Sequence, residues 1–294
     1  MAKKILDQIV IICGMPRTGT TYLYYVLQKH PNIFTPHRKE LSFFCSNYDK
    51  GISWYESYFK NIQNDQLGID ISPVYFLDAN AIDRINKASP KIKLVLCVRK
   101  PSDWIHSWYT QLGTRELNMP PFNDFIRKHW FKPTIGKKFL INLDNNFISK
   151  TIQQYMNAFE DRILIYHYDL LNKDPLAVLK ALEKFLNVPS YFNIDNIENI
   201  KINSSNRKNM WLISYLLSRE PLAKVLEFCV PGNTLRRVRN YLDKSSVPSS
   251  NNNERTISEN VNIAKKFFSD DDAFIDSLFE TKKVQLGSGK AFDY

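Results

Sequence analysis

The sequence predicts an α/β fold with a doubly wound, mostly parallel sheet, helices on both faces and a helical C-terminal section. Four runs rich in apolar residues are predicted as strands, and the first, Ile9–Cys13, is typical of a strand buried on both faces, because its hydrophobic residues follow one another without interruption. These runs are Ile9–Cys13, Leu67–Ile71, Ile92–Val98 and Arg162–Tyr168. Segments with helical spacing separate them, which favours right-handed βαβ crossovers. We expect a single domain over residues 1–294, with a core over about 5–190 and the helical section over about 200–285.

Apolar residues at helical spacing predict helices between and after these strands, and Ile33–Thr35 is predicted as a short strand. Pro101, Ser102 and Asp103 are favoured at helix starts, so a helix is expected directly after Arg99. The other predicted helices are Thr20–Lys29, Ile52–Phe59, Asp78–Lys87, Phe122–Trp130, Asn145–Phe159, Leu176–Leu186, Met210–Leu217, Ile257–Phe268 and Ala273–Phe279. We assign the aromatic residues of these helices to core packing rather than to ligand binding.

Charge and cysteine content narrow the possible partners and the compartment. The net charge of +10 and the pI of about 9.3 favour a polyanionic partner, such as a charged nucleotide, an acidic sugar or nucleic acid. The four cysteines show neither metal-ligand nor Cys-x-x-Cys spacing, so no metal site is expected. We recognise no signal peptide and no run close to the roughly 20 apolar residues of a membrane span. We therefore expect a cytoplasmic protein.

The stretch from Ile9 to Leu23 carries the strongest signal for a binding site. Gly14 ends the first strand, Gly19 closes a short loop, and the apolar positions of a helix follow. A strand, a glycine-bounded loop and a helix aim loop amides and a helix N-terminus at one point, which suits a phosphate or sulfate.

The same loop departs from the nucleoside-triphosphate pattern G-x-x-x-x-G-K-[ST] at one position. Gly14, Gly19 and Thr21 have the required spacing, but Thr20 stands where that pattern has lysine, and the nearest cation is Arg17. A kinase needs the lysine on the transferred phosphate, and usually a magnesium ion. A nucleotide or small-molecule kinase is therefore the alternative rather than the preferred function.

The loop Gly14-Met-Pro-Arg-Thr-Gly-Thr-Thr21 resembles the 5′-phosphosulfate loop of sulfotransferases that use 3′-phosphoadenosine 5′-phosphosulfate (PAPS). Further blocks occur in that family's order: His30-Pro31, Lys39-Glu-Leu-Ser-Phe-Phe44, Gly68-Ile-Asp-Ile-Ser-Pro-Val-Tyr75 and Lys93-Leu-Val-Leu-Cys-Val-Arg-Lys-Pro101 followed by Ser107. The resemblance covers residues 9 to about 110, extends weakly over Ile163–Val188, and is greatest to carbohydrate enzymes of the heparan-sulfate type and to bacterial sulfotransferases.

The resemblance implies which residues hold PAPS, which would leave as adenosine 3′,5′-bisphosphate. The 5′-phosphosulfate would be held by Arg17, Thr18, Gly19, Thr20 and Thr21, with Arg17 also offsetting charge on the leaving phosphate. The 3′-phosphate would be held by Arg99 and Ser107, since family members hold it with an arginine and a serine at this spacing. Arg99 also ends a predicted strand, at the edge where open α/β sheets bind ligands. Arg207 and Lys208 lie where the family often closes a basic loop over the nucleotide.

Glu40 is the predicted general base, because Lys39-Glu-Leu-Ser-Phe-Phe44 resembles the setting of the catalytic glutamate in heparan sulfate enzymes. Burial beside Phe43 and Phe44 is expected to raise the pKa of its carboxyl group. His37 is the alternative base. Asp70 precedes Ile71-Ser-Pro73, where several carbohydrate-type members have a lysine beside Ser-Pro, so it is either an acceptor contact or a structural partner of Arg17 or Arg99.

The predicted function is sulfuryl transfer from PAPS to a hydroxyl group of a small molecule or glycan, with a carbohydrate or glycoconjugate preferred. Nucleic-acid binding ranks below both enzyme functions, since the basic residues are scattered and most aromatic residues lie in apolar periodic runs. Acceptor identity and oligomeric state are left open.

Overall fold

A computed structural model of the chain describes residues 5–113, 119–127, 129–131, 139–141, 143, 146–198, 254–280 and 284–286. Within this part, six strands form the main sheet in the order β2-β3-β1-β4-β7-β8, and β5 pairs with β6 in a separate ribbon. The strands are β1 (Ile9–Gly14), β2 (Ile33–Phe34), β3 (Leu67–Ile71), β4 (Lys93–Val98), β5 (His129–Phe131), β6 (Phe139–Ile141), β7 (Ile163–His167) and β8 (Val284–Leu286). The first five strands of the main sheet are parallel, and β8 runs antiparallel to β7.

The centre of the sheet is β1, which pairs with β3 through Ile11 and Asp70 and with β4 through Gly14 and Cys97. The chain moves to the β3 side after β1 and then returns to the other side of β1 for β4. Ligands of open α/β sheets bind where the strand order reverses in this way, outside the carboxyl ends of the strands. The carboxyl ends of β1, β3 and β4 are therefore the edge at which a site is expected.

The helices of the described residues cover both faces of this sheet, since every residue of β1 is buried. Their bounds are α1 (Thr20–Leu27), α2 (Ile52–Glu56), α3 (Ala81–Ala88), α4 (Pro101–Gly113), α5 (Phe122–Phe125), α6 (Phe147–Phe159), α7 (Tyr168–Lys173), α8 (Pro175–Leu186), α9 (Ile194–Glu198), α10 (Glu254–Phe267) and α11 (Ser269–Leu278). The predicted aromatic packing is confirmed, because Tyr55, Phe59, Trp104 and Trp108 are all buried.

The fold class is confirmed, one local prediction is wrong and one edge strand was missed. The predicted helix Phe122–Trp130 ends at Phe125, and His129–Phe131 pairs instead with Phe139–Ile141. Aromatic residues favour strands, and this cross-strand pairing takes precedence over local helical spacing. The edge strand Val284–Leu286 was not predicted, because its three residues are too few for a period to show.

The described residues other than Glu198 belong to one compact unit, formed by Met1–Ile197 and Asn253–Tyr294. The helix predicted at Met210–Leu217 lies outside the described residues, so the single-domain organisation stays a prediction. Across the part of the chain that the structure describes, no helix combines the length and apolar composition needed to cross a membrane.

Candidate active site

The loop between β1 and α1 is fixed by direct contact with β4. Gly14 has φ +139°, and a Cβ atom at this position would lie 2.1 Å from the carbonyl oxygen of Cys97. The backbone N–H of Met15 donates to that same oxygen at 3.0 Å, and the Cys97 thiol donates to the carbonyl oxygen of Thr18 at 3.0 Å. Only glycine permits this approach of two backbones, so the loop lies against the carboxyl end of β4.

The start of α1 leaves backbone donors at the mouth of the loop. The N–H of Leu23 donates to the carbonyl oxygen of Gly19 at 3.1 Å, so the N–H groups of Thr20 and Thr21 precede this bond, in the turn where an α-helix leaves amides without an intrahelical acceptor. Gly19 has φ +80°, and a Cβ atom there would lie 2.6 Å from Cδ2 of Leu171. A helix of eight residues with such an N-terminus suits an anionic group.

The side chains of this loop divide between its interior and its surface. The hydroxyl of buried Thr18 donates to the carbonyl oxygen of Met15 at 2.6 Å, so it stabilises the loop itself. Thr20 is also buried, Thr21 is half-buried, and Arg17 is exposed with φ 68°. These features fit a phosphosulfate group, because a loop fixed against β4, the N–H groups in the first turn of α1 and the exposed guanidinium of Arg17 can all bind an anion.

Arg99 follows β4 at the same edge and is linked to the loop through Met15. Its backbone N–H contacts Sδ of Met15 at 3.3 Å, and its guanidinium carbon lies 4.9 Å from the ring centroid of Tyr168. This stacking holds a planar cation in place beside the loop. Ser107 is half-buried in α4, eight residues further along the chain.

The turn after Arg99 is held by α11, which the sequence analysis did not connect with the site. A carboxylate oxygen of Asp272 accepts the N–H of Ser102 at 3.2 Å, and the ammonium of Lys100 lies 2.7 Å from a carboxylate oxygen of Asp276. Burial raises the pKa of Asp272, against the effect of its hydrogen bond from Ser102. The acidic run Asp270–Asp272 was a signal for such capping, but its target could not be known from the sequence.

Glu40 lies in a strained segment that we call the Glu40 loop, residues 38–47. Both Glu40 (φ 61°) and Ser42 (φ 51°) are in the left-handed region. The N–H of Glu40 donates to the carbonyl oxygen of Ile71 at 3.1 Å, which places it at the carboxyl end of β3. Its carboxylate lies 2.6 Å from the ammonium of Lys39, and its side chain is 33% exposed. The expected burial of Glu40 is therefore only partial, although Phe43 in the same loop is fully buried.

Asp70 is the carboxyl group that burial affects most at this edge. It is 1% exposed and accepts hydrogen bonds from the hydroxyls of Tyr75, Ser72 and Tyr55 at 2.7, 2.7 and 3.1 Å. Burial raises its pKa to about 6, the three hydrogen bonds oppose that rise, and the charge of Glu40 adds to it. These partners are hydroxyls rather than Arg17 or Arg99, and the burial argues against contact with an acceptor.

The two histidines near the site differ in position. His37 is exposed, with its ring centroid 5.8 Å from that of Tyr58, three residues before Glu40. His106 is half-buried in α4, where burial lowers its pKa. The choice of base between Glu40 and His37 therefore stays a prediction.

The Sulfotransferase domain family model matches residues 7–219, which is more than half of the chain. The chain belongs to the sulfotransferase family. This match confirms the resemblance stated for the loop and the blocks after it, and it favours the family over the kinase alternative. Among the residues that the structure describes, no group of three or more His, Cys, Asp or Glu side chains is arranged to hold a metal ion.

Relatives of this sulfotransferase include two mouse proteins whose names refer to heparan sulfate. Bifunctional heparan sulfate N-deacetylase/N-sulfotransferase 4 is 31% identical over 200 residues, which are 62% of this chain and 22% of that protein. Heparan sulfate glucosamine 3-O-sulfotransferase 5 is 31% identical over 185 residues, covering 61% and 53% respectively. The chain thus matches between about a fifth and about half of the length of these relatives.

A solved sulfotransferase from Alicyclobacillus acidocaldarius has the same fold, with a TM-score of 0.52 at 17% identity, over 82% of this chain and 97% of that one. At this identity the similarity concerns the fold alone. The predicted nucleotide contacts Arg207 and Lys208 lie outside the described residues.

Proposed function

We propose that this sulfotransferase moves a sulfuryl group from PAPS to a hydroxyl group of a carbohydrate or glycoconjugate, with Glu40 as general base. The observation that carries the proposal is the meeting of three elements at one sheet edge. The Gly14–Thr21 loop and Arg99 are joined there through Met15, and Glu40 is anchored to the last residue of β3, the neighbour of β1.

In the proposed reaction, the acceptor oxygen bonds to sulfur as the bond from sulfur to the phosphate oxygen breaks, and adenosine 3′,5′-bisphosphate leaves with that electron pair. Glu40 takes the proton of the acceptor hydroxyl on a carboxylate oxygen. Arg17 and the first-turn amides of α1 offset the charge that develops on the leaving phosphate. Arg99 and Ser107 anchor the 3′-phosphate, so that binding energy from a remote part of the nucleotide orients the sulfuryl group.

The carbohydrate acceptor is proposed on the names of two relatives and on the Lys39-Glu40 frame. One relative is named as an N-sulfotransferase and the other as a 3-O-sulfotransferase, both of heparan sulfate. The net charge of +10 suits an acidic glycan. An assay must therefore separate transfer to oxygen from transfer to nitrogen.

The nucleotide is tested first, by calorimetric titration with adenosine 3′,5′-bisphosphate and, separately, with magnesium-ATP. We expect binding of the bisphosphate, weakened about 10- to 100-fold in Arg99→Ala, since a charge-assisted contact contributes about 1.5–3 kcal/mol. Arg127→Ala is the matched control, because Arg127 also stacks on an aromatic ring, but it lies just after α5 and its partner is Phe267 of α10. Binding of magnesium-ATP alone would favour the kinase.

The base and the acceptor are tested with labelled PAPS and two glycans, N-acetylated heparosan and its de-N-acetylated form. Transfer to the N-acetylated form identifies hydroxyl acceptors, whereas transfer confined to the other form identifies an amine. We expect Glu40→Gln to lower kcat by about 100-fold or more while bisphosphate affinity stays within about twofold. A loss of this size in His37→Ala, with Glu40→Gln unaffected, would transfer the role to His37.

A further inference from the structure

The Asp70 carboxylate determines where three neighbouring hydroxyl protons point. A carboxylate only accepts hydrogen bonds, and a hydroxyl has one proton to donate. The oxygen atoms of Ser72, Tyr55 and Tyr75 all lie within 3.1 Å of the Asp70 carboxylate. Each of the three therefore donates its proton to Asp70, and its lone pairs are left to accept from elsewhere.

Two of these hydroxyl oxygens accept from the backbone of the Glu40 loop. The N–H of Ser42 donates to Oγ of Ser72 at 3.1 Å, and the N–H of Phe43 donates to the phenol oxygen of Tyr75 at 2.9 Å. All of these groups are buried. Asp70 thus acts on two consecutive loop amides through one intervening hydroxyl each, two and three residues after Glu40.

The loop needs such anchors because its conformation is strained. A residue other than glycine is strained in the left-handed region, and this loop has two such residues, Glu40 and Ser42. Strain of this kind persists only where surrounding contacts fix it. Two further hydrogen bonds fix the same loop: the N–H of Glu40 donates to the carbonyl oxygen of Ile71, and the side chain of Asn47 donates to the carbonyl oxygen of Leu41 at 2.8 Å.

We propose that Asp70 is a positioning residue for Glu40, acting through Ser72 and Tyr75 on the backbone of Ser42 and Phe43. The proposal rests on the proposed function, in which Glu40 is the base. With Asp70 ionised, both hydroxyls present lone pairs to the loop and the Glu40 carboxylate is held in one direction. With an amide at position 70, whose NH₂ group donates, the hydroxyl protons can turn toward the loop amides, and the two anchors weaken.

Tyr55 and Tyr75 form a matched pair for the test. Both are completely buried and both donate to the same oxygen of Asp70, but of the two only Tyr75 also accepts from the Glu40 loop. Tyr75→Phe removes a loop anchor, whereas Tyr55→Phe removes only a donor to Asp70. The two substitutions delete the same atom from equally buried rings, so packing changes are equivalent.

The experiment compares wild type with Tyr75→Phe, Tyr55→Phe, Ser72→Ala and Asp70→Asn. We expect kcat with labelled PAPS and heparosan to fall about 10-fold in Tyr75→Phe and Asp70→Asn, since a small misplacement of a reacting group costs one to two orders of magnitude. The kcat of Tyr55→Phe should fall less than about threefold, and the affinity for the bisphosphate should stay within about twofold of the wild-type value in all variants. Hydrogen exchange at the amides of Ser42 and Phe43 should accelerate in Tyr75→Phe, Ser72→Ala and Asp70→Asn but not in Tyr55→Phe.

Two further comparisons separate this proposal from the proposed function. If Asp70 acts through Glu40, then Asp70→Asn should lower kcat little further in a Glu40→Gln background. Equal losses in both backgrounds, or equal exchange in Tyr55→Phe and Tyr75→Phe, would overturn the positioning role. If Glu40→Gln has full activity, the proposed base is wrong, while the exchange data still decide whether Asp70 fixes the loop. If Asp70→Asn does not fold, kcat and hydrogen exchange in Tyr75→Phe and Ser72→Ala decide the question.

Discussion

The two halves of the candidate site are fixed by different parts of the chain. The Gly14–Thr21 loop is held chiefly by backbone contacts, with Gly14 against Cys97 and the N–H of Met15 on the same carbonyl oxygen, and the Thr18 hydroxyl adds one bond within the loop. The Glu40 loop lies at the end of the neighbouring strand and is held largely by side chains, through the hydroxyls of Ser72 and Tyr75. One half depends on the absence of a side chain, the other on the presence of several.

The two kinds of support match the proposed roles of the two loops. A cradle for a phosphosulfate group must present amides at fixed positions, and a backbone crossing fixes them without side-chain freedom. A general base must meet an acceptor, and its loop uses polar side chains of α2, β3 and the turn after β3. The same arrangement makes the Glu40 loop sensitive to the protonation of Asp70. The backbone crossing of the Gly14–Thr21 loop does not depend on that protonation.

The largest expected effect is that of Gly14→Ala. The new Cβ atom would lie 2.1 Å from a backbone oxygen of the central strand pair, and neither strand can move without breaking the sheet. We expect a loss of about 4 kcal/mol or more in the free energy of unfolding, measured by urea denaturation. Ile12→Val in the same strand is the control, with an expected loss of about 1 kcal/mol. Similar losses in the two variants would mean that the backbone crossing is looser than described.

The next effect is the dependence of stability on the ionisation of Asp70. Its pKa rises from 3.8 to about 6 in the folded protein, chiefly through burial, so the folded state binds the proton more tightly than the unfolded state. This contribution to stability, about 3 kcal/mol in full, is present below the unfolded pKa of 3.8 and is lost as pH rises through the folded pKa of about 6, so about 2 kcal/mol of the loss falls between pH 4.5 and pH 7. Asp70→Asn should remove this difference, measured as unfolding free energy at pH 4.5 and pH 7.

The other groups that interact with Asp70 define the control for this comparison. The charge of Glu40 raises the pKa of Asp70, so Glu40→Gln should move the transition to slightly lower pH. Burial raises the pKa values of Cys13, Cys45, Tyr55 and Tyr75, and these groups stay neutral across the range. If the unfolding free energy of Asp70→Asn changes between pH 4.5 and pH 7 as much as that of the wild type, the change arises from groups other than Asp70. Ionised Asp70 would thus lower the stability of the fold and at the same time orient the Glu40 loop.

The same division explains how far the sequence predicts the site. Gly14 and Gly19 were predicted as loop boundaries, because a backbone crossing leaves glycine as its signature. The central parallel strands were predicted from runs rich in apolar residues, whereas their order in the sheet was not predicted. Nothing in the sequence connects Tyr55 with Asp70 or Tyr75 with Phe43, since these side chains meet only after α2 and β3 have packed. Glu40 itself was selected by resemblance, and its partial exposure and its strained backbone were visible only in the structure.

A smaller effect is expected at Gly19. This glycine has φ +80° and ψ 10°, and a Cβ atom there would lie 2.6 Å from Cδ2 of Leu171. Gly19→Ala should therefore lower the free energy of unfolding by about 2 kcal/mol, of which about 1 kcal/mol is the cost of the left-handed backbone alone. In a Leu171→Ala background, the cost of Gly19→Ala should fall to this backbone cost. Equal costs of Gly19→Ala in the two backgrounds would show that Leu171 moves aside freely.

The smallest expected effect tests whether charge or hydrogen bonding holds the Glu40 loop. Lys39 and Glu40 form a close ion pair of 2.6 Å, but the Glu40 side chain is 33% exposed, so water partly screens the attraction. We expect Lys39→Gln to change the free energy of unfolding by about 0.5 kcal/mol, with the difference reduced in 1 M salt. Tyr75→Phe should cost about 1–3 kcal/mol at any salt concentration, because it leaves the buried N–H of Phe43 without its acceptor. If Lys39→Gln lowers the free energy of unfolding more than Tyr75→Phe does, the ion pair rather than the hydroxyls of Ser72 and Tyr75 fixes Glu40. The Glu40 loop would then not be held largely by hydrogen-bonding side chains.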